Sequence, residues 1–321
     1  MLNKCNWSKS VLAVVFAVFA QALHCKVYAQ EDVRVEDIVD KITKHAQGFE
    51  DVRADITMVQ RSPKGNEKIF KIRSYTIESG ANAKNIVVAS FPPDMKRYAR
   101  LAFGNDSGTD DLWYFQPHTK RVKRMAPQEN ATYLMGTELT MEDWDITQPQ
   151  SLRKYNLRYL STEACGEHSK PKSQQCYKIE RIPKSQFSGY SRQIVWLDAK
   201  LLRLYRVDFY DLKNVFLKTL RFDDYRQYAN KYWRPSLFYV VNKQTGGSTR
   251  AIWTGYKFGN HFSKSAFSAA NLDRYAVLKS SLKEEVVDEN DTGTLTEDVQ
   301  RINESSNAGL QSLLEEVKSI K

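Results

Sequence analysis

The apolar residues Val35, Ile38, Val39, Ile42 and Ala46 recur at helical spacing. Glu36 and Asp37 stand in the first turn, Lys44 and His45 in the last, and Gly48 just beyond. The spacing predicts an amphipathic helix of about four turns whose stripe covers a sheet. The period then changes. Val52, Ala54, Ile56 and Met58 alternate with Arg53, Asp55 and Thr57, and after the turn Ser62-Pro63-Lys64-Gly65-Asn66 comes a second strand, Lys68 to Glu78. Further strands are expected at Ile86–Phe91, Tyr98–Phe103, Leu112–Phe115 and Arg121–Met125, broken by Pro92-Pro93, Asn105–Asp111 and Pro117.

Beyond Tyr190 the alternation is strongest, at Gln193–Leu197, Leu202–Tyr210, Val215–Tyr225, Trp233–Asn242 and Thr249–Phe258, with turn residues between. These make an up-and-down meander. About eleven to thirteen strands are too many for a flat open sheet, so the sheet is expected to curl into a barrel or half-barrel with a concave face. Gln128 to Pro149 interrupts the strands, contains a short helix start at Thr140-Met141-Glu142-Asp143-Trp144, and reads as a second lid. The fold class is therefore α+β, a curved antiparallel half-barrel of about eleven strands under helical lids.

Composition agrees with sheet. The chain has 17 Tyr, 15 Phe and 6 Trp against 14 Gly, residues that suit pleated, half-buried surfaces. Charge divides the chain. Residues 276–321 hold five Lys/Arg and ten Asp/Glu, so that segment is −5 and the remainder +15. The acidic segment, with a final helix expected from Val299 to Ile320, reads as an extension outside the core. A basic body suits phospholipid headgroups or nucleic acid equally, and compartment decides between them.

Lys4 and Lys9 precede an apolar run from Val11 to Ala20, too short to span a bilayer and of the kind found in export signals. Cleavage is expected after Ala29, with Ala20-Gln21-Ala22 as the rival site; His24 before Cys25 speaks against a lipidation signal. This places the mature protein in the periplasm and divides the chain into a signal peptide over 1–29, a binding domain over 30–275 and the extension over 276–321. In that oxidising compartment the two cysteines of the mature chain, Cys165 and Cys176, are expected to form a disulfide across a polar hairpin loop.

Catalytic signals are missing. The mature histidines, His45, His118, His168 and His261, have no ligand-type spacing, and the chain has no G-x-S-x-G elbow, H-E-x-x-H or phosphate loop. No metal, no cofactor and no enzymatic activity are expected. Glu138, Glu142, Asp143 and Asp145 could form an acid/base pair, but helix capping and pairing with the basic run Lys120-Arg121-Val122-Lys123-Arg124 are the commoner explanations. That basic run reads either as a solvated strand face or, through Lys120, Arg121, Lys123 and Arg124, as a contact for lipid phosphate or an acidic partner; export argues against nucleic acid.

A resemblance to a family rests on three stretches. They are Asp111-Leu112-Trp113-Tyr114-Phe115-Gln116-Pro117 followed by Lys120-Arg121-Val122-Lys123-Arg124-Met125; then Leu134-Met135-Gly136-Thr137-Glu138-Leu139-Thr140-Met141-Glu142-Asp143-Trp144; and in the meander Ile194-Val195-Trp196-Leu197-Asp198, Lys218 and Trp233-Arg234-Pro235. Together, over about residues 34 to 275, they resemble the LolA-like outer-membrane lipoprotein-sorting proteins, and more closely the relatives associated with RND-type exporters. One departure is Phe91 before Pro92, where LolA carries an arginine.

The resemblance implies a half-barrel of the LolA, LolB and RseB kind, in which an apolar concave face receives acyl chains. It implies a monomeric carrier that passes lipid or lipoprotein between membranes, with an RND-type inner-membrane transporter or an outer-membrane acceptor as partner. A lipid-sensing regulator and an accessory subunit of an efflux system are the alternatives. The side chains expected to meet the acyl chain are Met58, Phe70, Phe91, Leu101, Phe103, Trp113, Phe115, Met125, Leu134, Met135 and Trp144. Methionine suits a pocket for variable chains.

Overall fold

The computed structural model describes residues 34–79, 82–105, 109–147, 149–166, 173–280 and 307–320. The expected signal peptide over 1–29 lies outside them. The predicted amphipathic helix is α1, Val35–Ala46, and it stops before Gly48, whose φ of +87° suits glycine.

Thirteen strands follow: β1 (Asp51–Arg61), β2 (Glu67–Ser79), β3 (Asn82–Phe91), β4 (Ala99–Phe103), β5 (Asp111–Gln116), β6 (Arg121–Arg124), β7 (Tyr155–Ala164), β8 (Gln175–Pro183), β9 (Arg192–Asp198), β10 (Leu204–Tyr210), β11 (Phe216–Tyr228), β12 (Tyr232–Asn242) and β13 (Ser248–Phe258). They form one antiparallel sheet in the order β6-β5-β4-β3-β2-β1-β13-β12-β11-β10-β9-β8-β7. Two meanders thus run outward from a central seam where β1 pairs with β13.

The count is the upper end of the expected eleven to thirteen, two more than the eleven strands placed individually. The two added strands, β7 and β8, flank the Cys165–Cys176 disulfide, which is formed. A register shift between Tyr159 and Ser161 breaks the alternation of β7, and polar residues intersperse both strands. Their period-two signal is correspondingly weak.

The sheet is curved and open. β3 and β7 are nine places apart in strand order, about 43 Å in a flat sheet, yet both contribute side chains to one cavity. Bulges produce part of the bend. At the seam the register slips between Arg53 and Asp55, opposite Gly255 at φ +60°, where a Cβ would lie 2.9 Å from the Asp55 carboxylate.

The two faces have different covers. On the concave face, Ile56, Met58, Phe70, Ile72, Val207, Phe209, Phe222, Phe238 and Val240 form the main core. It is roofed by residues 126–154, a succession of short 3-10 turns where a helical lid was expected. On the other face, Ile86, Val88, Leu101 and Phe115 pack under α2, Leu272–Ser280.

The second helix on that outer face is α3, residues 307–319. Its Leu310, Leu313 and Val317 are buried against Leu237, Tyr239 and Val241 of β12. The acidic extension is therefore not wholly outside the core. Gly309 lets α3 approach closely, since a Cβ there would meet the Tyr239 hydroxyl at 2.6 Å. Arg221 donates to the Gly309 carbonyl at 2.7 Å, and Arg206 pairs with Glu316.

Candidate functional site: a cavity under the N-terminal helix

Beside the packed core the concave face is hollow. A cavity of about 270 Å³ lies between α1 and the strands, close to the lower end of the roughly 300–1,000 Å³ of ligand pockets. The whole apolar stripe of α1, Val35, Ile38, Val39, Ile42 and Ala46, faces it. Opposite stand Val52 and Ala54 of β1 and Leu157, Ile179, Val195, Leu197 and Leu204 of β7 to β10. α1 leads into β1 and touches both the turn Pro149–Lys154 and the edge strand β7, so it lies across the opening between the two halves of the sheet.

The wall between hollow and filled regions is aromatic. Trp144 of the 126–154 segment lies against Trp253 at 6.5 Å between ring centroids, and Trp253 packs on Phe238 at 4.6 Å. Both tryptophans line the cavity and pack on the main core.

The 126–154 segment is fastened by buried polar contacts. Lys218, fully buried on β11, donates to Asp143 at 2.6 Å and to the Glu138 carbonyl at 2.8 Å. Asp143 also accepts from the Tyr190 hydroxyl at 2.8 Å and the Thr140 amide at 2.7 Å. Glu138 accepts from the Asn242 side chain at 2.8 Å, and its amide donates to the Thr249 hydroxyl at 2.9 Å. Burial pushes the Glu142 carboxyl above its ordinary value, against donation from Ser188 and the Gly189 amide. Burial likewise raises the Tyr190 hydroxyl well above its usual range.

For Glu138, Glu142 and Asp143 this corrects the expected pairing with the basic strand; the Asp145 side chain lies outside the described residues. Asp143 pairs with Lys218 across the sheet, while Arg124 of β6 pairs with Asp111. Lys120, Arg121, Lys123 and Arg124 remain exposed on or beside an edge strand, where charge discourages pairing with another sheet.

The eleven side chains expected at the acyl chain fall in several places. Trp144 lines the cavity. Met58 and Phe70, cross-strand partners, are buried in the main core, with Met135 against it. Leu101 and Phe115 lie on the opposite face under α2, beside Phe103 and Trp113. Met125 and Leu134 join a small cluster with Ala102, Leu112 and Met141. Phe91 is exposed at the end of β3.

Sequence reasoning did not assign the lining from α1, β7, β8 and β10, nor the cavity's arginines. The α1 stripe was legible and could have been followed inward. Arg181 is buried, donates to Gln193 at 2.6 Å and stacks 4.7 Å from the Tyr155 ring centroid. Burial lowers its pKa from the ordinary value.

An open antiparallel sheet wrapped around an apolar cavity, with a helix across the mouth, defines the LolA-like class of half-barrels. A domain assigned to the outer-membrane lipoprotein-sorting proteins of Vibrio parahaemolyticus is 30% identical, with a TM-score of 0.68 over 74% of this chain and 97% of that one. The chain belongs to this LolA-like outer-membrane lipoprotein-sorting family. A DUF1329 family protein of Desulfovibrio piger (21% identity, TM-score 0.66, 74% and 96% covered) and a LolA superfamily protein of Nitrosomonas europaea (18%, 0.58, 74% and 98%) share its fold. A family model described as "Uncharacterized protein" matches residues 81–274. No curated protein sequence matches the chain.

Proposed function

We propose that this protein is a periplasmic carrier that takes up the acyl chain of a lipid or lipoprotein beneath α1 and passes it to a membrane partner, without chemistry of its own. The observation that carries the reading is the apolar cavity roofed by the stripe of α1. A helix with this stripe would ordinarily be spent on a solid core; here it faces empty space, which an acyl chain fills.

The energetics fit a shielding role. At about 0.8 kcal/mol per methylene, a sixteen-carbon chain carries on the order of 12 kcal/mol of transfer free energy, enough to prevent free diffusion through water. A carrier must offset most of this and still release. Movement of α1 would open the cavity, at a difference of a few kcal/mol that cargo or partner can bias. The cavity volume favours one chain over several. An RND-type inner-membrane transporter or an outer-membrane acceptor would be the partner, met through the exposed basic strand β6.

The test is native mass spectrometry of protein purified from its own periplasm, with titration of a fluorescent fatty acyl probe. One bound lipid per chain and competition of the probe by that lipid are expected. Absence of both bound lipid and probe binding would overturn the reading.

A further inference from the structure

Among the described residues, four cationic side chains line the cavity, Arg181, Arg203, Arg234 and Lys231, against one carboxylate, Glu78. Glu78 is engaged by the backbone, accepting from the Gly48 and Glu50 amides at 2.7 and 2.9 Å. Arg203 is neutralised by Asp198 at 2.8 Å, and Arg181 is itself buried beneath the surface.

Arg234 differs from both. Its guanidinium lies 5.6 to 5.9 Å from the ring centroids of Phe49, Tyr232 and Phe258 and donates to the Trp233 carbonyl at 3.0 Å. Among the described residues no carboxylate pairs with it. Part of its surface stays accessible, and it lines the cavity. Aromatic faces soften the cost of burying a cation but supply no counter-charge; burial lowers its pKa from the ordinary value.

Arg234 lies near the C-terminal end of α1, where the exposed Lys231 donates to the Gln47 carbonyl at 2.8 Å. The aliphatic side chains of β7 to β10 line the same cavity. We propose that Arg234 is the headgroup site of this cavity, and that the cargo is an amphiphile whose hydrocarbon chain ends in an anionic oxyacid group, a carboxylate or a phosphate. The planar guanidinium fork matches either in bidentate fashion. The inference rests on the acyl-binding reading and adds the chemical class of the headgroup.

The experiment compares hexadecanoate, hexadecyl phosphate and hexadecanol as competitors of a fluorescent acyl probe on the full mature chain, wild type and Arg234→Met. The wild type should bind the two anions about tenfold or more tighter than the alcohol. Arg234→Met should bring the anions down to the alcohol's affinity and leave the alcohol unchanged. The tighter of the two anions identifies the source as a free fatty acid or a phospholipid.

Equal binding of all three by the wild type, or an equal loss of all three in the variant, would overturn the headgroup site while leaving acyl binding intact. If no competitor and no probe binds the wild type, the acyl-binding reading itself fails. Thermal unfolding supplies the second readout. Removing a buried cation that lacks a counter-charge should leave the Tm of ligand-free protein unchanged or raised; a lowered Tm would mark Arg234 as structural and count against the proposal.

Discussion

The concave face has two halves built from the same sheet with opposite outcomes. Under residues 126–154, bulky side chains such as Phe209, Phe222 and Phe238 fill the bowl, and the roof is fastened through Lys218, Asp143, Glu138 and Asn242. Under α1 the bowl is hollow, and the roof is one amphipathic helix of which Val35 and Ile38 are buried. Just past its C-terminal end, the Gln47 carbonyl accepts from Lys231 and the Gly48 amide donates to Glu78. The contrast shows what makes a lid fixed or movable. Buried, directional contacts hold a roof in one place, whereas an apolar stripe over space can give way to a ligand of the same polarity.

The largest expected effect comes from the fixed roof. Lys218→Met leaves Asp143 buried without its cation and should lower stability by about 3–5 kcal/mol in denaturant unfolding. Adding Asp143→Leu should recover most of that loss. If the single variant unfolds like wild type, the roof is held by packing alone.

Next in size is the disulfide that joins the outer two strands on the hollow side. Cys165 and Cys176 are separated by 11 positions, and opening so short a loop by Cys165→Ser with Cys176→Ser should cost about 3 kcal/mol. Thermal melts with and without reductant check this. The reductant should shift wild type and leave the double variant where it is.

The contrast between halves is sharpened by making one substitution in each. Ala251 is buried in the filled core and Ala54 lines the cavity. Ala251→Phe should overpack and cost about 1–3 kcal/mol. Ala54→Phe should cost less than about 1 kcal/mol, because the ring enters free space, while weakening acyl-probe binding about tenfold or more. Equal stability losses would mean that the cavity collapses around its walls.

The smallest effect is a pH dependence at the turn into α2. Burial opposes ionisation of Asp51, but donation from the Phe262 and Asn260 amides and the Asn260 side chain outweighs it, holding the carboxyl below its ordinary 3.8. The stability Asp51 contributes is complete above that ordinary value and lost as pH falls through the lowered one. Asp51→Asn should therefore flatten the acid limb of the stability curve. An unchanged acid limb would exclude Asp51 as its source.

The α1 helix and the five-strand meander were legible in the chain because each keeps a clean period over enough residues. β7 and β8 were not, since polar positions and a bulge hide their alternation. The cavity was harder still. Met58 and Phe70 look no different in sequence from Val195 or Leu204, and whether such residues meet one another or an opening depends on how far the sheet bends. In the sequence Lys218 and Arg234 stand out only as parts of motifs. A buried lysine and a caged arginine are properties of tertiary neighbours, which spacing along the chain does not report.

The seam between β1 and β13 has a consequence for assembly. β1 can pair with β2 as soon as the first hairpin exists, but its other edge waits for a partner that follows the whole of the intervening chain. Until β13 arrives, the early meander presents an open row of amides and carbonyls to any neighbouring strand. Closure of the seam is therefore the long-range step that sets how slowly the molecule matures and when it is most exposed to aggregation.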